Sequence, residues 1–223
     1  VITLLGAFYP AIDLAAGEKE RGTLETLLTA PVPPSAIVAG KFLTVALIGV
    51  VAAALNLGSM LLTFQTGALQ ITQVLGIEVS LPLRSVAIIF LALIPLAVLF
   101  AALFLGLAVR SASFKEAQNA LTPVYMVVLV PAMLPIFPGI DFGPLLAVTP
   151  VAGVSFLFRD AMAGDVDWLL GALVLASTTL YAVASLAFAA RAFGNERVLF
   201  GGVGPADVPS ITWHERLRAL APA

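Results

Sequence analysis

Cysteine is absent from these 223 residues, and histidine occurs once, as His214. Disulfide frameworks, thiolate zinc sites, cysteine nucleophiles and histidine-based metal clusters are thereby excluded. Charge is scarce too. Only 11% of residues are Asp, Glu, Lys or Arg, while 61% are apolar and the mean hydropathy is +1.07; a soluble domain carries about 25% charged residues. So much apolar side chain cannot be hidden in a core of this size, and the surrounding medium must be lipid. The net charge of −2 lacks the basic footprint of a nucleic-acid binder.

A helix crosses the hydrocarbon layer in about 20 residues. Runs almost free of charge predict four complete spans, over 37–64, 85–109, 115–137 and 168–190. The run Val1 to Ile12 is too short to cross alone. With no basic start and no small-residue cleavage site, it reads as the tail of a span, about 1–16, whose beginning is missing. The expected fold is an all-α polytopic membrane protein with about five membrane helices, the first partial. Lys19, Arg21, Lys41, Arg110, Lys115, Arg191 and Arg197 fall on one side and only Arg84 and Arg159 on the other. This bias makes the richer side cytosolic, together with the C-terminus.

Local chemistry marks helix limits. Pro33-Pro34-Ser35 breaks the chain and offers Ser35 as an N-cap, and Ser113 with Glu116 has capping-box spacing. Pro95, Pro123 and Pro131 lie inside spans. The small-residue pairs Ala54/Gly58 and Ala102/Gly106 allow close helix approach. Thr149-Pro150 and Gly164 bracket a helix of about 150–163, too short to cross, expected to lie in the outer interface or dip into it with Arg159 and Asp160 toward water. After the flexible Gly201-to-Pro205 break, residues 201–223 form a cytosolic linker and a short tail with Thr212/Glu215 capping spacing. Trp213, Leu217 and Leu220 share one face there, read either as a surface-lying helix or as a frayed end.

The most unusual stretch runs from Asp13 to Pro31 and holds six of the 24 formally charged residues. Glu18, Lys19, Glu20, Arg21 and Glu25 crowd against Leu24, Leu27 and Leu28, whose spacing forms one apolar stripe on a short helix. On composition alone it is a solvated turn between spans; the sharper reading is a docking element that transmits force from a soluble partner. Charges within lipid cost roughly 2.5–3.5 kcal/mol on insertion scales, and the complete spans hold few polar groups. Asp13, Asn56, Ser59 and Thr63 are candidates to line a pathway. Their structural reading, in which Asp13 pairs with Lys19 or Arg21 and Asn56 bonds across helices, is preferred, because one carboxylate and scattered hydroxyls do not define an ion site.

The run Gly17-Glu-Lys-Glu-Arg-Gly-Thr-Leu-Glu-Thr-Leu-Leu28, followed by Pro31 and Gly40-Lys41, resembles the membrane subunit of type-2 ABC exporters, nearest to the sodium-efflux permeases. The resemblance extends through the short outer helix to Arg191–Phe200 and lacks the family's first span and large extracytoplasmic insertion. It implies a six-helix transmembrane domain in the plasma membrane, in which segment 17–34 is the cytosolic coupling element that an ATP-binding subunit contacts. Glu18, Lys19, Glu20, Arg21, Thr23, Leu24, Glu25, Leu27 and Leu28 map onto that element. In it the leucines are expected to pack against the partner or the neighbouring span ends while the charges register the dock. The chain would pair with itself or a sister permease and export sodium, a drug or a lipid-like solute. It would bind no cofactor, ATP and Mg being used by the partner, since no Gly-rich phosphate loop with a following Lys-Ser/Thr occurs here. A non-catalytic role follows from the same absence.

Two other classes stand beside this one. An intramembrane protease needs a His base, a His/Glu metal cluster or two facing carboxylates at membrane depth, and only Asp13 approaches one of these. A secondary transporter or passive scaffold, working without an ATPase partner, is the remaining alternative. Scarce intramembrane ionisable residues count against ion coupling within the chain.

Overall fold

A computed structural model describes residues 2–28, 31–63 and 83–194, and among them every regular element is helical. Helix α1 (Ile2–Ile12) continues through a π-helical turn (Asp13–Gly17) into α2 (Glu18–Glu20), so the first helical run ends beyond the expected residue 16. There follow α3 (Thr23–Leu28), α4 (Pro34–Thr63), α5 (Leu83–Ala108), α6 (Phe114–Met133), a 3-10 turn (Leu134–Ile136), α7 (Pro144–Val148), α8 (Pro150–Ala163) and α9 (Trp168–Gly194). Among the described residues four stretches are long and apolar enough to cross a membrane: Ser35–Thr63, Arg84–Ala108, Phe114–Ile136 and Trp168–Ala192. Their limits fall within two residues of those expected from the sequence. The tail over 201–223 lies outside the described residues.

Helix α5 is the centre of the bundle, packing against α1, α4, α8 and α9. Phe8 of α1 meets Phe104 of α5 edge-on at 5.7 Å and Tyr125 of α6 at 5.9 Å, while Phe100 stacks on Phe104. Outward positions of α4, among them Leu43, Leu47, Val51 and Leu55, remain exposed at a spacing of four residues. In a bilayer that stripe meets acyl chains, which are as apolar as leucine.

Of the two small-residue pairs, only Ala102/Gly106 serves close approach. Gly106 lies against Ala189 and Phe188 of α9, whereas nothing approaches a Cβ built on Gly58, and Ala54 is exposed. A closer approach than that at Gly106 is at Gly6, where a Cβ would stand 2.8 Å from that of Ala52, with Gly49 alongside. Gly6→Ala should therefore cost about 1–3 kcal/mol of stability through overpacking. Gly58→Ala should cost nothing, and thermal unfolding of the two purified variants in one detergent checks the contrast. Equal midpoints would show that the α1–α4 seam has slack.

The caps divide. Ser113 accepts from the Glu116 amide at 3.3 Å and the Glu116 carboxylate accepts from the Ala112 amide at 2.8 Å, a reciprocal cap at the start of α6. Ser35 does not precede its helix, because α4 already begins at Pro34. Thr149 occupies the N-cap position of α8 but its hydroxyl donates back to Leu145 of α7, an element the sequence did not announce. Gly164 ends α8 in the left-handed region, φ 79°.

Helix α8 packs its apolar side into the bundle. Val151, Val154, Phe156, Leu157 and Ala161 are buried, and Gly153 sits so close to α7 that a Cβ would meet the Ala147 carbonyl at 2.7 Å. Arg159 and Asp160 pair with each other, Nε to Oδ1 3.0 Å, half-buried rather than turned to water. The apolar positions of α8 face α5 and α9, and that packing draws its polar residues inward.

Candidate functional site

Every polar residue of the turn that follows α1 has a structural task. In the π-helical turn each hydrogen bond closes over one extra residue, a geometry frequent at functional sites. There the Leu14 carbonyl accepts from Lys41 Nζ of α4 at 2.6 Å. The same ammonium pairs with Glu18 Oε2 at 2.5 Å, with side chains only 8% and 17% exposed. Lys41 stands two turns into an apolar helix, so its charge requires a partner held at that depth.

Lys19 and Glu20 reach in another direction, to the loop between α5 and α6. Lys19 Nζ donates to the Val109 carbonyl just past the end of α5, and Glu20 Oε2 accepts from the Phe114 amide that opens α6, at 2.7 Å. A cation at a helix C-terminus and an anion at an N-terminus both complement the helix dipole. Burial, and then the neighbouring Lys41 charge, hold the Lys19 ammonium below its ordinary pKa against an opposing pull from Glu116. Arg21 closes the turn on itself, Nη1 to Asp13 Oδ1 2.9 Å, at an exposed position.

The two glycines of the motif are required by this arrangement. A Cβ on Gly17 would lie 2.8 Å from Asp13 Oδ1, blocking the carboxylate that holds Arg21. Gly22 takes φ +69° and reverses the chain after α2, its amide donating to the Lys19 carbonyl at 3.1 Å. Left-handed backbone at the end of a helix is the position that favours glycine. Thr23 Oγ1 then donates to the Glu18 carbonyl at 3.2 Å, fixing the start of α3.

The charges of Glu18, Lys19, Glu20 and Arg21 are each engaged within the chain, at a helix end or with an opposite charge, and Glu20 and Arg21 remain exposed. Leu24 is buried and Leu27 half-buried, while Thr23 and Thr26 are exposed. The side chains of Glu25 and Leu28 lie outside the described residues. Lys41, which the sequence presented only as the opening of a span, is the residue that joins the turn to α4. A lysine this far inside an apolar run is the signal that could have found it.

The four candidate pathway residues do not converge. Asp13 is at the charged turn; Asn56, 15 positions beyond Lys41 on the same helix, is about 22 Å away along the axis at 1.5 Å per residue. Asn56 is exposed on a cavity wall and makes no side-chain hydrogen bond among the described residues, in place of the cross-helix bond expected of it. Thr63 Oγ1 donates to the Ser59 carbonyl one turn back at 2.9 Å.

Apolar spans around a central α5, joined at one end by a charged turn that is bonded to three of them, define a multi-pass α-helical membrane protein. The chain belongs to the ABC-2 family transporter proteins, whose pattern matches residues 1–198. It is similar to the ABC transporter permease protein NatB of Bacillus subtilis (strain 168), 30% identical over 172 residues, 73% of this chain and 42% of that protein. The chain therefore spans less than half the length of that relative. No solved structure matches.

Proposed function

We propose that this chain is the permease subunit of an ATP-driven exporter, and that segment 17–28 is where a separate ATP-binding subunit grips it. The observation that carries this reading is the bracing of the turn. Lys41–Glu18 ties it to α4, Lys19 to the end of α5 and Glu20 to the start of α6. A push on α3 is therefore delivered to three spans at once, which a merely solvated turn would not do. In this reading the turn and the C-terminus are cytosolic, the membrane is the plasma membrane, and a second copy or a sister permease completes the pathway. ATP and Mg are handled by the partner. Sodium, a drug or a lipid-like solute is the cargo class.

The test uses the absence of cysteine from these 223 residues, any cysteine elsewhere in the full-length protein being replaced by serine. Thr23→Cys and Thr26→Cys, at exposed positions of α3, each supply a unique thiol in the described chain. In the full-length protein co-expressed with its ATP-binding partner, a bifunctional maleimide should link both positions to that partner. In intact cells a membrane-impermeant maleimide should leave them unlabelled. Labelling from outside, or no link to the ATPase from either site, would overturn the assignment.

A further inference from the structure

At the end of the bundle opposite the charged turn, α1, α4, α5, the 3-10 turn and α8 line a half-open cavity of about 430 Å³. Small-molecule sites typically measure about 300–1,000 Å³ and combine apolar walls with a few convergent polar groups. Leu57, Leu93 and Phe100 are representative of the apolar part of this wall, and Asn56, Ser155 and Arg159 supply polar groups. No carboxylate is among the described residues that line it.

Arg159 is fixed in place. Its Nε donates to Asp160 Oδ1 at 3.0 Å, its Nη1 donates to the Ile140 carbonyl at 3.3 Å, and its guanidinium lies 4.6 Å from the centre of the Phe156 ring. Phe156 in turn stacks on Phe142 with planes 6° apart. A guanidinium has about five N–H donors, so these two bonds leave the larger part of the fork for a ligand. Asp160 orients the group from outside the wall. Asn56, with its amide unused among the described residues, stands on the same cavity.

The chemistry discriminates among ligands. A hard cation needs several oxygen ligands, carboxylates foremost, and among the described residues that line this wall the one charged group is the Arg159 guanidinium, paired with Asp160 beside it. A free inorganic anion would find the guanidinium but leave the apolar lining empty. A neutral apolar solute would leave the remaining N–H donors of the Asp160-paired guanidinium unmet. A molecule with an oxyanion head and a hydrocarbon body satisfies both parts, since guanidinium pairs with such heads in bidentate geometry.

We propose that this cavity binds a single-chain amphiphile with an anionic head, the head on Arg159 and Asn56 and the chain along Leu57, Leu93 and Phe100. The assignment goes beyond the exporter reading and does not depend on which side of the membrane the charged turn occupies.

The full-length protein, purified in a neutral detergent, is irradiated with a photoactivatable long-chain fatty acid or with the matching fatty alcohol. The acid should label peptides of α4 and α8 about tenfold more than the alcohol, the scale of one charge-assisted hydrogen bond. Unlabelled oleate should compete, and inorganic phosphate or sodium chloride at equal concentration should not. Arg159→Gln should remove the preference for the acid and Arg159→Lys should restore part of it. Labelling by the alcohol that persists in Arg159→Gln separates a headgroup role from collapse of the cavity after loss of the Ile140 and Asp160 contacts. Ser155→Phe, which crowds the wall and leaves Arg159 intact, should abolish labelling. Equal labelling by acid and alcohol, competition by phosphate alone, protection by sodium, or full labelling of the Ser155→Phe protein would each overturn the proposal.

Discussion

Lys41→Met should lower the stability of the purified protein by about 3 kcal/mol, toward the lower end of the range for breaking a buried ion pair. The substitution keeps the length and apolar stem of the side chain and removes only the ammonium. What remains is a Glu18 carboxylate that is 17% exposed and has lost its cation, and a Leu14 carbonyl that has lost its side-chain donor. An uncompensated charge is the larger part of that loss, so the companion variant is informative. Glu18→Gln combined with Lys41→Met removes both charges and should recover about half of the deficit, because neutral partners are far cheaper to bury than one orphan ion. A double-mutant cycle on thermal unfolding in a single detergent measures the coupling. Additive losses would mean that Lys41 and Glu18 are neighbours without mutual dependence, and that the turn is not fastened to α4 through them.

The spans were legible because hydropathy is a property of consecutive residues, and lipid rewards it wherever the chain goes. The Ser113/Glu116 cap and the Gly164 stop were legible for the same reason, since their partners lie within five positions. What could not be read is the direction in which the charges of the turn point. Lys41 and Glu18 are 23 positions apart, Lys19 and Val109 are 90, and Glu20 and Phe114 are 94. Sequence spacing carries no information about such pairs; the meeting of helix ends creates them. Gly6 and Gly49 were overlooked because they lie on different helices and make no pattern along either one. Arg159 was assigned to water because α8 looks like an isolated amphipathic helix, whereas its apolar residues are taken up by α5 and α9. The motif itself was recognisable, with its two glycines and four consecutive charges. Only the packing shows that both glycines are needed to let those charges reach their partners within the chain.

Replacing Leu24 and Leu27 together by Asp should abolish ATP-driven transport in inverted vesicles while leaving membrane insertion intact. The spans that direct insertion are untouched, and α3 lies outside them. The structure separates the two contributions. Leu24 is 8% exposed, so Leu24→Asp forfeits about 2 kcal/mol of apolar burial and loosens α3 from the turn that precedes it. Leu27 is half-buried, and Leu27→Asp alters mainly the face of α3 that a partner would meet. Leu27→Asp alone should therefore reduce transport and co-purification with the ATPase in parallel, with little change in thermal midpoint. Leu24→Asp should lower the midpoint as well. Unchanged transport by the double variant would remove segment 17–28 from the coupling path. Lost transport with undiminished ATPase binding would make α3 a transmitting lever that the motor grips elsewhere.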